Sequence, residues 1–378
     1  MQATFKAYWY PSSGTFFDGQ YLDDLQTASI TRGRVNIQDP FRAATTTIGG
    51  RNPSDLPVID VGDFLVVEAY TPDLFTQYIM FWGRIADVQI EYGIVEAMDT
   101  WTILGEDALA NAGRLNANGS WVAGVTTAEA AEDFLTGTGV PISFVSSPGG
   151  SSKVSAQTLT NENLLGVLNQ LMATEQGRLN GAQDDEIEWL GRDDLHEGFP
   201  LVRFTDNPAG ISIYQQIRYD TLNFASLADN LANKVTVSPE GLAAQTFGSG
   251  TKSFELKSYD QTTSQALDLA SYVQSTLTQS NDVPFSISAR TSYQSNLDLL
   301  AVAAEGPRVG YFVEVELRGT IYQCVVNGST VSSDPSDTRV QLNLYAADLS
   351  SWFVLGDDFF GRLQDSSSTP PYNNKLGF

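Results

Sequence analysis

Two stretches near opposite ends of the chain open on Val-Gly-x-Phe and continue through three strand-like segments. The first reads VGDFLVVEAY (Val61 to Tyr70), YIMFWGRIADVQIEY (Tyr78 to Tyr92) and IVEAMD (Ile94 to Asp99). The second reads VGYFVEVELRG (Val309 to Gly319), IYQCVVNGSTV (Ile321 to Val331) and RVQLNLYAAD (Arg339 to Asp348). Each ends on an acidic residue before a helical or loop stretch. A β unit used twice in one chain gives a scaffold of pseudo-equivalent modules. Two accounts fit the pattern: a true duplication, or two β modules that share only generic strand patterning.

Length bounds what such units can bury. The 378 residues allow about two to four domains and a substantial core. A hydrophobic fraction of 42% with 17% charged residues is that of a folded chain. Lys and Arg number 21 against 45 Asp and Glu, a formal charge of −24. Such a chain repels nucleic acid and anionic membranes unless it hides a basic patch, and no run of Lys or Arg supplies one. Cys324 and His196 are the only residues of their kinds, which excludes an intrachain disulfide and any multi-thiolate metal site. Cys324 lies in the strand-like IYQCVV and reads as a buried, inert thiol. The N-terminus lacks the basic and apolar regions of a secretory signal, and no run approaches the ~18 apolar residues of a membrane span. Assembly in the cytoplasm is the expectation.

Periodicity places the elements. From Arg84 to Tyr92, Ala86, Val88, Ile90 and Tyr92 alternate with Asp87, Gln89 and Glu91, predicting a strand with one packed and one wet, acidic face. Thr126-x-x-Glu129 is a capping box that opens a short helix. Thr160 or Asn161 is expected to cap a second helix carrying Leu164, Leu165, Leu168, Leu171 and Met172. The segment EQGRLNGAQDDEIEWLGRDD reads as a hairpin whose turn is Asn180-Gly181 and extends towards Asp184. Strands resume at Asn233 to Val237, and Asp260 is expected to cap a helix with Ala266, Leu269, Ala270, Val273 and Leu277 on one stripe. Phe285, Ile287 and Ala289 alternate with polar residues, as do Val313 and Val315, and Val340, Leu342 and Leu344. Asn118-Gly and Asn327-Gly read as turns rather than glycosylation sites. The stretch from Gln364 to Phe378 has no periodicity and reads as an extended arm.

Reactive chemistry is sparse. Adjacent acids such as Asp23-Asp24 and Asp357-Asp358 suit solvated turns, because glycosidase carboxylates face each other from separate elements ~5–9.5 Å apart. A catalytic triad would have to use His196, and no Gly-x-Ser-x-Gly elbow exists. Gly248 to Ser253 fails the phosphate-loop pattern, since Thr251 stands where glycine must precede lysine. No metal site and no cofactor are expected; the residues nearest to one are Asp193, Asp194, His196 and Glu197, without calcium-loop spacing. The chain reads as no enzyme.

The order of its motifs resembles the tail-tip or baseplate hub proteins of tailed bacteriophages, the minor tail protein family. ITRGRVNIQDPFRAATTTI (Ile30 to Ile48) is similar to the family's I-x-R-G-R segment, with Ala43 and Ala44 where glycine is expected. FWGRIAD (Phe81 to Asp87), NLLGVLNQLMATEQGRL with IEWLGRDD, NKVTV, the helix after Asp260 and SSWFVLGDDFFGRL (Ser350 to Leu363) follow in the family's order. The resemblance implies a β-rich α+β chain with two tube-type β-barrel domains and α+β insertions. The expected division is residues 1–103 for the first barrel, 104–205 for an inserted α+β domain, 206–250 and 300–360 for the second barrel, 251–299 for a helix–strand insertion and 361–378 for the arm.

The resemblance further implies a homotrimer in the virion's tail tip, whose two units per chain would match a six-fold tube to a three-fold tip. Its implied partners are the distal tail protein, the tape-measure protein and other tail-tip proteins, with DNA passing through the lumen unbound. Acidic strand faces lining that lumen would keep DNA from sticking, within the ~8 Å reach of charge at physiological salt. The expected lumen residues are Asp87, Gln89, Glu91, Glu314 and Glu316. The alternatives are a receptor- or carbohydrate-binding tail module, with Trp121 and Trp189 stacking on sugars if exposed, and a distal-tail or tube subunit.

Overall fold

The computed structural model describes residues 3–71, 76–95, 98–144, 150, 152–182, 185–192, 202–207, 215–224, 232–278, 283–293 and 298–347. Asp193, Asp194, His196, Glu197, the segment from Ser350 to Leu363 and the C-terminal arm lie outside them.

The first third of the chain is strand: β1 (Thr4–Tyr10), β2 (Gln20–Leu22), β3 (Leu25–Gly33), β4 (Thr45–Arg51), β5 (Phe64–Thr71), β6 (Thr76–Glu91) and β7 (Thr100–Glu106). A mixed module follows, with α1 (Ala108–Arg114), β8 (Asn116–Trp121), α2 (Thr127–Leu135), β9 (Ile142–Phe144), β10 (Gln157–Asn163), α3 (Leu164–Glu175), β11 (Arg178–Gly181) and β12 (Ile187–Leu190). Three short strands, β13 (Val202–Thr205), β14 (Gln215–Arg218) and β15 (Thr221–Phe224), return to the main sheet. Then β16 (Lys234–Pro239), β17 (Gln245–Gly248) and β18 (Ser253–Ser258) form a small sheet against α4 (Thr263–Thr278). The chain closes the main sheet with β19 (Pro284–Arg290), α5 (Leu299–Val309), β20 (Phe312–Leu317), β21 (Thr320–Asp334) and β22 (Asp337–Ala346).

No sheet among the described residues closes into a barrel, so the expected pair of barrel domains is corrected. One 14-stranded sheet runs β14-β13-β20-β21-β3-β4-β7-β6-β5-β1-β2, with β22, β19 and β15 branching from β21. A barrel needs the last strand of a sheet to pair with its first. Here the second edge of β3 pairs with β21 instead, which merges the two halves of the chain into one surface.

The duplication shows in the register. In the first unit β5 pairs with β6 through Phe64↔Arg84 and Leu65↔Gly83; in the second, β20 pairs with β21 through Phe312↔Val325 and Val313↔Cys324. Placing Arg84 on Val325 puts Ile85 on Val326 and Asp87 on Gly328. Both central strands carry a bulge at those positions, between Ile85 and Asp87 facing β7 and between Val326 and Gly328 facing β22. The correspondence continues outward, β7-β4-β3 in one unit matching β22-β19-β15 in the other. Generic strand patterning fixes alternation but not the place of an inserted residue, so this shared bulge favours a repeated unit.

The bulge also corrects a turn. Asn327-Gly328 lies inside β21 and Asn118-Gly119 inside β8. A Cβ on Gly328 would stand 2.4 Å from the Arg34 carbonyl oxygen, and one on Gly119 2.5 Å from the Phe134 ring. Each glycine is therefore a point of close approach within a strand rather than a reversal.

The main core draws on both units, with Leu65, Phe81, Trp101 and Ile103 beside Val313, Val326, Val340 and Leu342, and with α5 laid over β21 and β6. The middle module has its own core around Trp121, Phe134, Leu168, Leu171 and Trp189. The Thr126 hydroxyl accepts from the Glu129 N–H while the Glu129 carboxylate accepts from the Thr126 N–H, the expected capping box. Thr126→Ala is expected to lower stability by about 1 kcal/mol, read from the shift of the unfolding midpoint. Elsewhere the caps move. Asn163, not Thr160 or Asn161, caps α3, because β10 runs on to that residue. Thr262 and Gln265 cap α4 reciprocally, while Asp260 is buried and accepts from the Ser258 hydroxyl. The hairpin of β11 and β12 forms as expected, with Asn180 and Gly181, the expected start of its turn, paired to Glu188 and Ile187 within it.

Candidate assembly surface

The acidic candidates fall on two strands of the one sheet. On β6, Gln89 and Glu91 are exposed, and Asp87 is half-buried, accepting from the Gln89 amide at 2.7 Å and from the Val88 N–H. On β20, Glu314 is only 7% exposed and is held by Arg203 at 2.6 Å. The parallel register sets Arg203 directly opposite Glu314, so this pair follows from strand order. Glu316 is half-buried, and its backbone oxygen accepts from the Tyr219 hydroxyl at 3.2 Å. The cation opposite Glu314 cancels most of its field, leaving the β6 face as the more open acidic one.

The opposite face of β6 departs from the sequence expectation. Val88 packs on the main core, but Ile90 is 44% and Tyr92 76% exposed. Ile94, Val95 and Met98 are exposed beside them. Scattered apolar residues are ordinary on a surface, but five within nine positions form a patch of the kind that contacts protein. Alternation alone could not find it, since it reports which residues share a face and not how far the chain's own core extends. Arg84 holds the inner end of β6 to the middle module, pairing with Asp185 at 2.7 Å and lying over the Phe64 ring.

Other candidate sites resolve into structure. Trp121 and Trp189 are 4% and 0% exposed, so neither presents the sugar-stacking face that a carbohydrate-binding reading needs. Cys324 is buried in the core, and burial pushes its thiol pKa up, as expected of an inert cysteine. Gly248 to Ser253 connects β17 to β18. Among the described residues no group of three or more His, Cys, Asp or Glu side chains is placed to hold a metal ion. Among them, too, no helix is long and apolar enough to cross a membrane. A cavity of about 280 Å³ lies where the cores meet, lined in part by Arg34, Phe41, Arg178 and Tyr272. Burial, with Arg178 nearby, pushes the Arg34 pKa down to about 9.

Burial raises three carboxyls, Asp298 and two that reach about 6. Burial raises Asp107 to about 6 against the N–H groups of Leu109 and Gly181 and the charge of Arg32. Burial likewise raises Asp260 to about 6 against the Ser258 hydroxyl. A carboxyl whose folded pKa is raised contributes stability that is full below the unfolded value, near 3.8, and lost as pH rises through about 6. The chain is therefore expected to be more stable at pH 5 than at pH 8, by roughly 1 kcal/mol per carboxyl, and to melt at a higher temperature at the lower pH. The high negative charge acts in the same direction. Asp107→Asn with Asp260→Asn should flatten the difference in a thermal scan; an unchanged profile would assign it to net charge. Below pH 4, Asp63 and Glu129, whose pKa values hydrogen bonds lower, turn the trend over.

No protein-family model matches this sequence, and no curated protein matches it. Solved structures do match its fold. A tail protein from Neisseria meningitidis aligns with a TM-score of 0.63 at 12% identity, over 92% of this chain and 98% of that one. The tail protein of prophage MuSo2 from Shewanella oneidensis aligns at 0.59 with 9% identity, over 90% and 98%. A prophage tail protein from Listeria monocytogenes aligns at 0.52 with 9% identity, over 92% and 96%. The chain thus has, along nearly its whole length, the fold found in phage tail proteins.

Proposed function

We propose that this chain is a structural protein of a bacteriophage tail, a hub that forms a homotrimeric ring at the tail tip. The observation that carries the reading is the repeated β unit, two copies sharing register and bulge within one sheet, in a fold that phage tail proteins share over nearly its whole length. Three chains with two units each offer six similar surfaces to a six-fold tube and three identical ones to the tip. The distal tail protein and the tape-measure protein are the partners such a position implies, and DNA leaves through the ring.

Asp87, Gln89 and Glu91 line that passage in this reading, with Glu314 and Glu316 on the second unit. Like charge keeps the DNA moving, and only residues within about a Debye length of it matter. Asp87→Lys with Glu91→Lys in an assembled virion is expected to slow DNA ejection; an unchanged rate would remove these residues from the wall. The decisive test of the hub is the mass of the assembled chain together with its projection in the electron microscope. A trimer with a central hole and six-fold outline supports it, whereas a hexamer with one chain per six-fold position indicates a tube subunit instead.

A further inference from the structure

Among the described residues one strand pairing joins the two β units: β3 of the first lies along the outer half of β21 of the second. Its register pairs Ile30 with Val331, Ser29 with Ser332 and Ala28 with Ser333. That stretch of β21 is open to β3 because β20 covers only Thr320 to Val325 on the same side. The first unit carries the same opening. β5 pairs with β6 only as far as Arg84, and β7 takes the opposite side of β6 from Arg84 to Glu91. Beyond Arg84, the β5 side of β6 has no strand partner among the described residues. The counterpart of β3 in the second unit is β15, which among the described residues pairs only with β19. Each unit thus holds both parts of a junction, and among the described residues only one of the two possible junctions is made within the chain.

We propose that β15 of one copy of this chain adds to the outer half of β6 of the next copy, repeating between chains the β3–β21 junction found within each. The inference rests on the ring assembly proposed above. The coincident bulges carry the register across, setting Ile90 opposite Phe224, Glu91 opposite Asn223 and Tyr92 opposite Leu222. Exposure fits this assignment. In the junction already formed, Ile30 and Val331 are 2% and 1% exposed, whereas their counterparts Phe224 and Ile90 are 43% and 44% exposed. No like charges meet in the register, since Glu91 faces an asparagine. An unpaired edge flanked by apolar side chains is a hazard that folded proteins cover or pair, and strand addition satisfies its N–H and C=O groups. The two surfaces differ, so the contact is head-to-tail and generates a ring when the rotation closes. First and second units then alternate around that ring, joined by like junctions throughout.

Disulfide trapping tests the pairing in the full chain, whose only native cysteine, Cys324, is buried. Opposed Cβ atoms in a strand pair lie about 4.5–5.5 Å apart, close enough for a disulfide with slight adjustment. A mixture of Ile90→Cys and Phe224→Cys chains under mild oxidation is expected to give a disulfide-linked dimer. The double variant should give a ladder ending in a closed species, and either single variant alone should stay uncrosslinked. Ile90→Cys with Leu222→Cys, two residues out of register, should trap far less. Self-crosslinking of Ile90→Cys would overturn the head-to-tail contact. Rings that form without Ile90–Phe224 crosslinks would overturn this interface and leave the hub reading standing. Chains that remain monomeric and uncrosslinked at high concentration would overturn both.

Discussion

Trp101→Ala is expected to unfold the chain about 3–5 kcal/mol more easily, the range for emptying a fully buried aromatic site. Trp101 is 1% exposed in the shared core, and its indole N–H donates to the Arg51 carbonyl at 2.8 Å. The substitution leaves a cavity and strips that carbonyl of its partner, a further cost of about 1 kcal/mol. Collapse into the space is hindered because Gly50 already lies against the ring, where a Cβ would stand 2.3 Å from Cζ2. The reverse substitution, Gly50→Ala, should therefore destabilise by overpacking. Chemical denaturation with a two-state fit measures both. A loss under 1 kcal/mol for Trp101→Ala would show that the first unit is not part of the cooperative core.

Arg308→Ala should cost about 3 kcal/mol, towards the lower end for a broken buried ion pair because the arginine keeps some solvent contact. Arg308 closes α5 on the main sheet and pairs with Glu188 of β12 at 2.8 Å. Glu188 is 6% exposed, so removing the guanidinium strands a buried charge. The same neighbourhood caps α5, with Arg178 donating to the Pro307 carbonyl and Asn180 to the Arg308 carbonyl. Together these contacts fasten the middle module to the helix that covers the repeated sheet. Arg308→Met with Glu188→Gln should recover much of the loss, because no buried charge is left unpaired; Glu305, the other partner of Arg308, is 41% exposed and stays solvated. If the double variant is as unstable as the single one, packing rather than charge holds the module.

Much of the local structure was legible in the sequence, and the reasons are local. The Thr126 box, the α3 and α4 stripes and the alternation at Ile287, Val313 and Leu342 each depend on neighbours within a few residues. The misplaced features depended on distant ones. Asn327-Gly328 looks like a turn until the Arg34 carbonyl arrives across the sheet and requires a residue without Cβ. Ile90 and Tyr92 look like core residues because alternation marks a face, while the core beneath that face ends near Val88. Glu314 looks like a free acid until β13 lays Arg203 beside it.

By itself the sequence determined that a Val-Gly-x-Phe opening followed by strand-like segments occurs twice, that the chain is strongly acidic, and that one cysteine cannot make a disulfide within the chain or a multi-thiolate site. Only the tertiary structure decided how the two units meet. Pairing β3 with β21 uses the edge that barrel closure would need, so among the described residues the units form one open sheet with unpaired strand edges. Strand pairing is a long-range choice between chemically similar edges, and periodicity within a strand carries no record of which edge it will find.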